Sequence, residues 1–182
     1  MTVVEPQAPI HLLTVEDVFA MVEAGVLAPE DRCELVGGIL YDIPPPGPTH
    51  SGVVARLNEH FLRASTDAWE VRAQDILFVP SGFRSPDLIV VPRTTEDVTH
   101  HTALLVVEVS HTSRARDERK VSHYARAHVD EYWRVDVEAA EIVVRRGPDG
   151  EVYRELLGFG LGESVSPLFE APPVEVSALL RR

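Results

Sequence analysis

A chain of 182 residues with 45% hydrophobic and 25% charged residues has the composition of an ordinary soluble globular protein, long enough to bury a substantial core. Its formal charge of −12 argues against a surface that grips nucleic acid everywhere, because such binding is driven by neutralising phosphates. Cys33 is the single cysteine, which excludes an internal disulfide and a cysteine-built zinc site and fits a reducing cytoplasm.

Residues 1–13 read as an N-terminal tail without the basic head and long apolar stretch of a secretory signal. Residues 14–182 read as one domain, and nowhere does an apolar run reach the ~18 residues of a membrane helix. Thr14 to Asp17 has the form of a helix cap with acids in the first turn; Val18, Phe19 and Val22 supply an apolar face, and Gly25 ends the helix. Glu34-Leu-Val-Gly-Gly38 leads into a strand over 39–43. The proline-rich stretch from Pro44 to Pro48 is a stiff loop inside the domain, and Val53, Val54, Leu57, Phe61 and Leu62 mark an amphipathic helix over 50–64.

Strands are expected over 69–72, 76–79, 88–91 and 104–109, with Ser81-Gly82 as a turn; the last two are the most apolar, as central strands should be. A helix over 114–127 follows a Thr112-Ser113 cap. Strands over 132–137, 142–146 and 152–157 complete the pattern, the last pair turning at Gly147-Pro-Asp-Gly150. The result is a mixed α/β domain whose central sheet is flanked by helices.

Glu108 lies inside the apolar run Leu104-Leu-Val-Val-Glu-Val109, where a carboxylate is costly without compensation. Alternation puts Leu104, Val106, Glu108 and Ser110 on one face of that strand. Asp87 precedes the neighbouring apolar strand. If the two pair antiparallel with Val91 opposite Leu104, Asp87 falls opposite Glu108. Carboxylates so opposed repel, and need a shared proton or a cation between them. Mg²⁺ answers that need, with waters and substrate phosphate completing its shell. Lys120, the sole lysine beside 16 arginines, follows Glu108 by twelve residues and can return toward its strand end on the next helix. Asp87 by itself is as readily a turn former after Pro86, but the apolar flanks of Glu108 and the matching Asp87 favour a functional site, whereas residue chemistry alone leaves Lys120 a solvated helix lysine.

The order of motifs decides between these readings. Glu34-Leu-Val-Gly-Gly, His50 after the proline-rich loop, Pro86-Asp-Leu-Ile-Val-Val, Leu105-Val-Val-Glu-Val, Arg116-Asp-Glu-Arg-Lys120 with Tyr124, and Glu131-Tyr-Trp-Arg-Val-Asp136 together resemble the Uma2 (Uma-two) family of endonucleases. The family belongs to the PD-(D/E)xK superfamily, and here Ser110 stands where that superfamily commonly has its lysine. The resemblance implies a restriction-endonuclease-like fold, with Glu34, Asp87 and Glu108 as metal-site acids and Lys120 as the catalytic lysine. It raises His50 and Tyr124 as substrate or supporting contacts, and Arg116 and Arg119 as phosphate contacts within the cluster Arg114, Arg116, Arg119, Lys120 and Arg126. His100, His101, His111, His123 and His128 read as scattered surface residues.

The function expected is hydrolysis of phosphodiesters in nucleic acid, DNA foremost, dependent on Mg²⁺ or Mn²⁺ held by Asp87, Glu108 and the Val109 carbonyl with Glu34 as a further candidate, with a homodimer as the assembly considered and no membrane partner. The competing expectation is a catalytically inactive nuclease fold used for binding or regulation.

Overall fold

The computed structural model describes residues 9–28, 30–80, 82–94, 98–99, 101–110 and 114–180, and for 114–119 the backbone alone. The Thr112-Ser113 cap, Ser81, His100 and His111 lie outside the described residues, as do the side chains of Arg114, Arg116 and Arg119.

Helix α1 (Val15–Glu23) opens on a capping box: Thr14 accepts from the Asp17 amide, and the Asp17 carboxylate accepts from the Thr14 amide. Strands β1 (Cys33–Val36) and β2 (Ile39–Asp42) form a hairpin through Gly37 and Gly38, both at positive φ. β1 is a strand the sequence reading lacks, since Glu34 to Gly38 reads there only as an approach. The described end of the tail meets this hairpin. Leu13 donates its amide to the Gly38 carbonyl at 2.9 Å, and Leu12 fills the space where a Cβ at Gly38 would stand.

Helix α2 (Pro48–Ala64) begins two residues before the expected start, because Pro48 takes the first helical position, where a missing N–H costs nothing. β3 (Trp69–Ala73), β4 (Leu77–Val79), β5 (Gly82–Arg84), β6 (Leu88–Pro92) and β7 (Leu105–Ser110) follow. Gly82 begins β5 instead of turning with Ser81. A Cβ there would run into the Leu35 carbonyl, so glycine is what lets β5 lie against β1.

After α3 (Arg114–Arg126) come β8 (Glu131–Asp136), β9 (Glu141–Asp149) and β10 (Val152–Phe159). The β9–β10 ladder runs out to Asp149 opposite Val152, so its turn lies at Gly150-Glu151, beyond the Gly147-to-Gly150 stretch expected. The short β11 (Ser164–Val165), β12 (Val174–Glu175) and α4 (Val176–Leu180) close the chain.

The main sheet has the order β10-β9-β8-β7-β6-β3, in which β7 and β8 are parallel and joined across α3. A smaller antiparallel sheet has the order β2-β1-β5-β4. Leu88, Val90, Leu105, Val107 and Val109 pack under α2 and the C-terminal segment. Ile89, Val91 and Val106 face the other way, toward Val121 and Tyr124 of α3. β6 and β7 are thus covered on both faces, which their unbroken apolar runs require. A third cluster of Val18, Leu35 and Phe83 seats the small sheet on α1.

Candidate active site at the end of β6 and β7

The β6–β7 ladder pairs Leu88 with Val107, Ile89 with Val106 and Val90 with Leu105. This is the register obtained by counting, and one step further sets Asp87 beside Glu108. Both acids belong to the side-chain row that faces α3, and both are buried.

Each acid is held through one oxygen. Asp87 Oδ2 accepts from the Val109 amide at 2.7 Å and lies 3.0 Å from His50 Nε2, at the start of α2. Glu108 Oε1 accepts from Lys120 Nζ at 2.8 Å and from the Tyr124 hydroxyl at 2.7 Å. Lys120 and Tyr124 are one helical turn apart, so both reach the same carboxylate from one face of α3. Glu34 closes the far side, with Oε1 3.6 Å from Lys120 Nζ and 3.3 Å from the Ser85 amide.

The charges explain one another. Burial raises the Glu108 carboxyl to about 7; Lys120 opposes that rise, while Asp87 and Glu34 add to it. Burial works against the Lys120 ammonium, but Glu108 and then Glu34 outweigh it, and the lysine stays protonated well above its ordinary range. The hydrogen bond to Asp87 raises His50. Burial, reinforced by Glu108, holds Tyr124 far above the usual phenol range, so it serves as a proton donor in a hydrogen bond.

Sequence reasoning missed Arg84, which is buried on β5 and donates to Glu34 Oε2 at 3.1 Å. Its other terminal nitrogen meets His123 Nδ1, so His123 is not one of the scattered surface histidines. Burial, then the charge of Arg84, lowers the His123 pKa and favours its neutral form. Arg84, His123, Lys120, Glu34, Val36 and Tyr41 line a cleft of about 440 Å³ between the hairpin and α3. Arg126, by contrast, pairs with Glu151 at 2.6 Å in the open.

The donor set suits a divalent ion in a particular way. Among the described residues no three His, Cys, Asp or Glu side chains gather into a metal-holding group. Asp87 Oδ1 and Glu108 Oε2, however, carry no hydrogen bond among the described residues. The Val109 amide points at Asp87, and the carbonyl of a strand residue lies on the same edge as its amide. Two carboxylates and a carbonyl, with waters completing the shell, is a set that Mg²⁺ accepts. Glu34 has both oxygens engaged and adjoins that set through Lys120.

The Uma2 family model, described as "Putative restriction endonuclease", matches residues 15–176. The chain belongs to the Uma2 family. The match contains Glu34, His50, Asp87, Glu108, Lys120 and Tyr124. In fold, this Uma2 chain is similar to the crystal structure of "a putative nuclease belonging to DUF820" from Anabaena variabilis. The TM-score is 0.71 at 13% identity, covering 92% of this chain and 97% of that one. No curated protein matches the Uma2 chain. Among the described residues no helix is long and apolar enough to cross a membrane.

Proposed function

We propose that this Uma2 protein is a Mg²⁺- or Mn²⁺-dependent nuclease that hydrolyses phosphodiester bonds in nucleic acid, DNA foremost. The observation that carries the reading is the opposition of Asp87 and Glu108 at the end of β6 and β7, with Lys120 Nζ 2.8 Å from Glu108. Asp87, Glu108 and the Val109 carbonyl, with Glu34 beside them, would hold the ion. When bound, a divalent ion stabilises charge building on the phosphate and lowers the pKa of a water.

The chain's own groups do the rest. Tyr124 and Lys120 fix Oε1 of Glu108, and its second oxygen, without a hydrogen bond among the described residues, would be the donor to the ion. The Val109 amide and His50 do the same for Asp87. Lys120, protonated and with little freedom between Glu108 and Glu34, orients the attacking water or steadies a phosphate oxygen without carrying a proton away.

One arrangement favours a second reading, a catalytically inactive nuclease fold that binds or regulates. Lys120 already bridges Glu34 and Glu108, which compensates acid charge that an ion would otherwise neutralise, and the whole chain is acidic. Cleavage of mixed DNA and RNA with and without Mg²⁺ or Mn²⁺, by wild type and Glu108→Ala in parallel, separates the two. Metal-dependent cutting that Glu108→Ala abolishes supports the nuclease. Binding without metal-dependent cutting supports the module.

A further inference from the structure

We propose that Tyr41 is a stacking platform for one unpaired base, and that the substrate enters this site as single-stranded DNA. The inference rests on the nuclease reading and names the form of its substrate. In the β1–β2 ladder Tyr41 lies directly opposite Glu34, and Ile39 opposite Val36. Cross-strand partners project to the same face ~5 Å apart, so the phenol ring of Tyr41 stands next to the acid that adjoins Lys120. The opposite face of the hairpin is spent on the core, where Cys33, Leu35 and Leu40 pack toward Val18 and Phe83. Tyr41 nevertheless remains 50% exposed and Ile39 47% exposed. The hairpin therefore offers an aromatic ring and an aliphatic neighbour to a ligand lying beside Lys120.

The opening in front of that face is small. At about 440 Å³, lined by Arg84, Lys120 and His123 and also by the acids Glu34 and Asp42, the cleft falls at the lower end of the ~300–1,000 Å³ usual for single small ligands. One nucleotide suits it; a duplex, whose bases are already stacked on both faces, offers nothing to Tyr41. Charge points the same way. A chain of net charge −12 has little broad phosphate neutralisation to offer to either form, so a contact to the face of an unpaired base adds affinity that a duplex does not receive.

The test measures binding of a fluorescein-labelled single-stranded DNA 10-mer and of its duplex to the full chain in millimolar Ca²⁺, with cleavage of both followed in Mg²⁺. Single strand is expected to be bound and cut at least tenfold better than duplex. Tyr41→Ala should weaken single-strand binding about tenfold with an unchanged melting temperature, because the residue contributes little to the core. Tyr41→Trp should restore binding, and its fluorescence should be quenched by a normal oligonucleotide more than by an abasic one. Trp69 and Trp133 are buried and do not report on the cleft. Unchanged single-strand binding in Tyr41→Ala, or preference for duplex, overturns the platform while metal-dependent cutting keeps the nuclease reading. Failure of wild type to bind or cut any nucleic acid removes that reading, and the platform with it.

Discussion

Tyr124 donates its hydroxyl proton to Glu108 Oε1 at 2.7 Å, and both side chains are buried between α3 and the main sheet. A phenol in this place is structural support for the carboxyl, since its proton is held far too tightly to be transferred at neutral pH. Removing the hydroxyl leaves Glu108 with Lys120 as its remaining partner and a small void. Tyr124→Phe is expected to lower stability by about 1–3 kcal/mol, the range for removing one partner of a buried hydrogen bond. Urea denaturation measures this; a variant as stable as wild type would show that the bond contributes nothing.

The pH dependence of the metal-free protein follows from Glu108. Its carboxyl is raised from an ordinary value of 4.5 to about 7 by burial, with Asp87 and Glu34 adding to the effect. Between those two values the unfolded chain has released this proton and the folded chain still holds it. Stability contributed by this group is therefore complete below 4.5 and is lost as pH rises through about 7. Glu108→Gln removes the titration, so its melting temperature should change less than wild type's across that window. Parallel pH profiles for the two proteins would contradict the assignment.

Metal should reverse the trend. A divalent ion bound to the folded state alone raises the melting temperature, and millimolar Mg²⁺ or Mn²⁺ should do so at pH 7. Asp87→Asn should reduce the response and relieve like-charge repulsion in the metal-free protein. A melting curve insensitive to both ions would favour the binding module over the enzyme.

Lys120 separates mechanism from stability. Lys120→Arg keeps the charge beside Glu108 and Glu34 but alters shape, hydration and hydrogen-bond geometry, so turnover should fall by about a hundredfold or more while the metal response persists. Lys120→Ala should be at least as damaging to turnover. It should also cost about 3–5 kcal/mol of stability, because buried Glu108 loses its cation while Glu34 keeps Arg84. Calorimetry and single-turnover cleavage read the two effects apart. Full activity in both variants would make Lys120 a structural ion-pair partner only.

Much of this centre is legible along the chain because it depends on short-range geometry. The period of two along β7 puts Glu108 on the face opposite Val107 and Val109, and an antiparallel partner leaves little choice of register once its apolar residues must also be buried. That logic brings Asp87 beside Glu108 from residue order alone. Capping chemistry likewise marks Thr14 as the start of α1. β1 and β5 are not legible in this way because they are short, and because Gly82 reads as a turn signal when its role is to let β5 lie against β1.

By itself, then, the sequence determined the alternation of helices and strands, the two opposed acids and, through the order of its motifs, the family resemblance. The tertiary structure alone decided how residues far apart in the chain converge. Arg84 comes from the small sheet and His123 from α3, and they meet across an interface that no periodicity encodes. Glu34 is equally able to cap a turn in the sequence, and only the packing of β5 against β1 brings Arg84 to its second oxygen. Tyr41 gains meaning only because hairpin pairing sets it opposite Glu34 at the mouth of a cleft. Local patterns are set by each residue's own neighbours in the chain, whereas the approach of two sheets and a helix is set by side-chain volumes packed together, which appear only once the whole core is assembled.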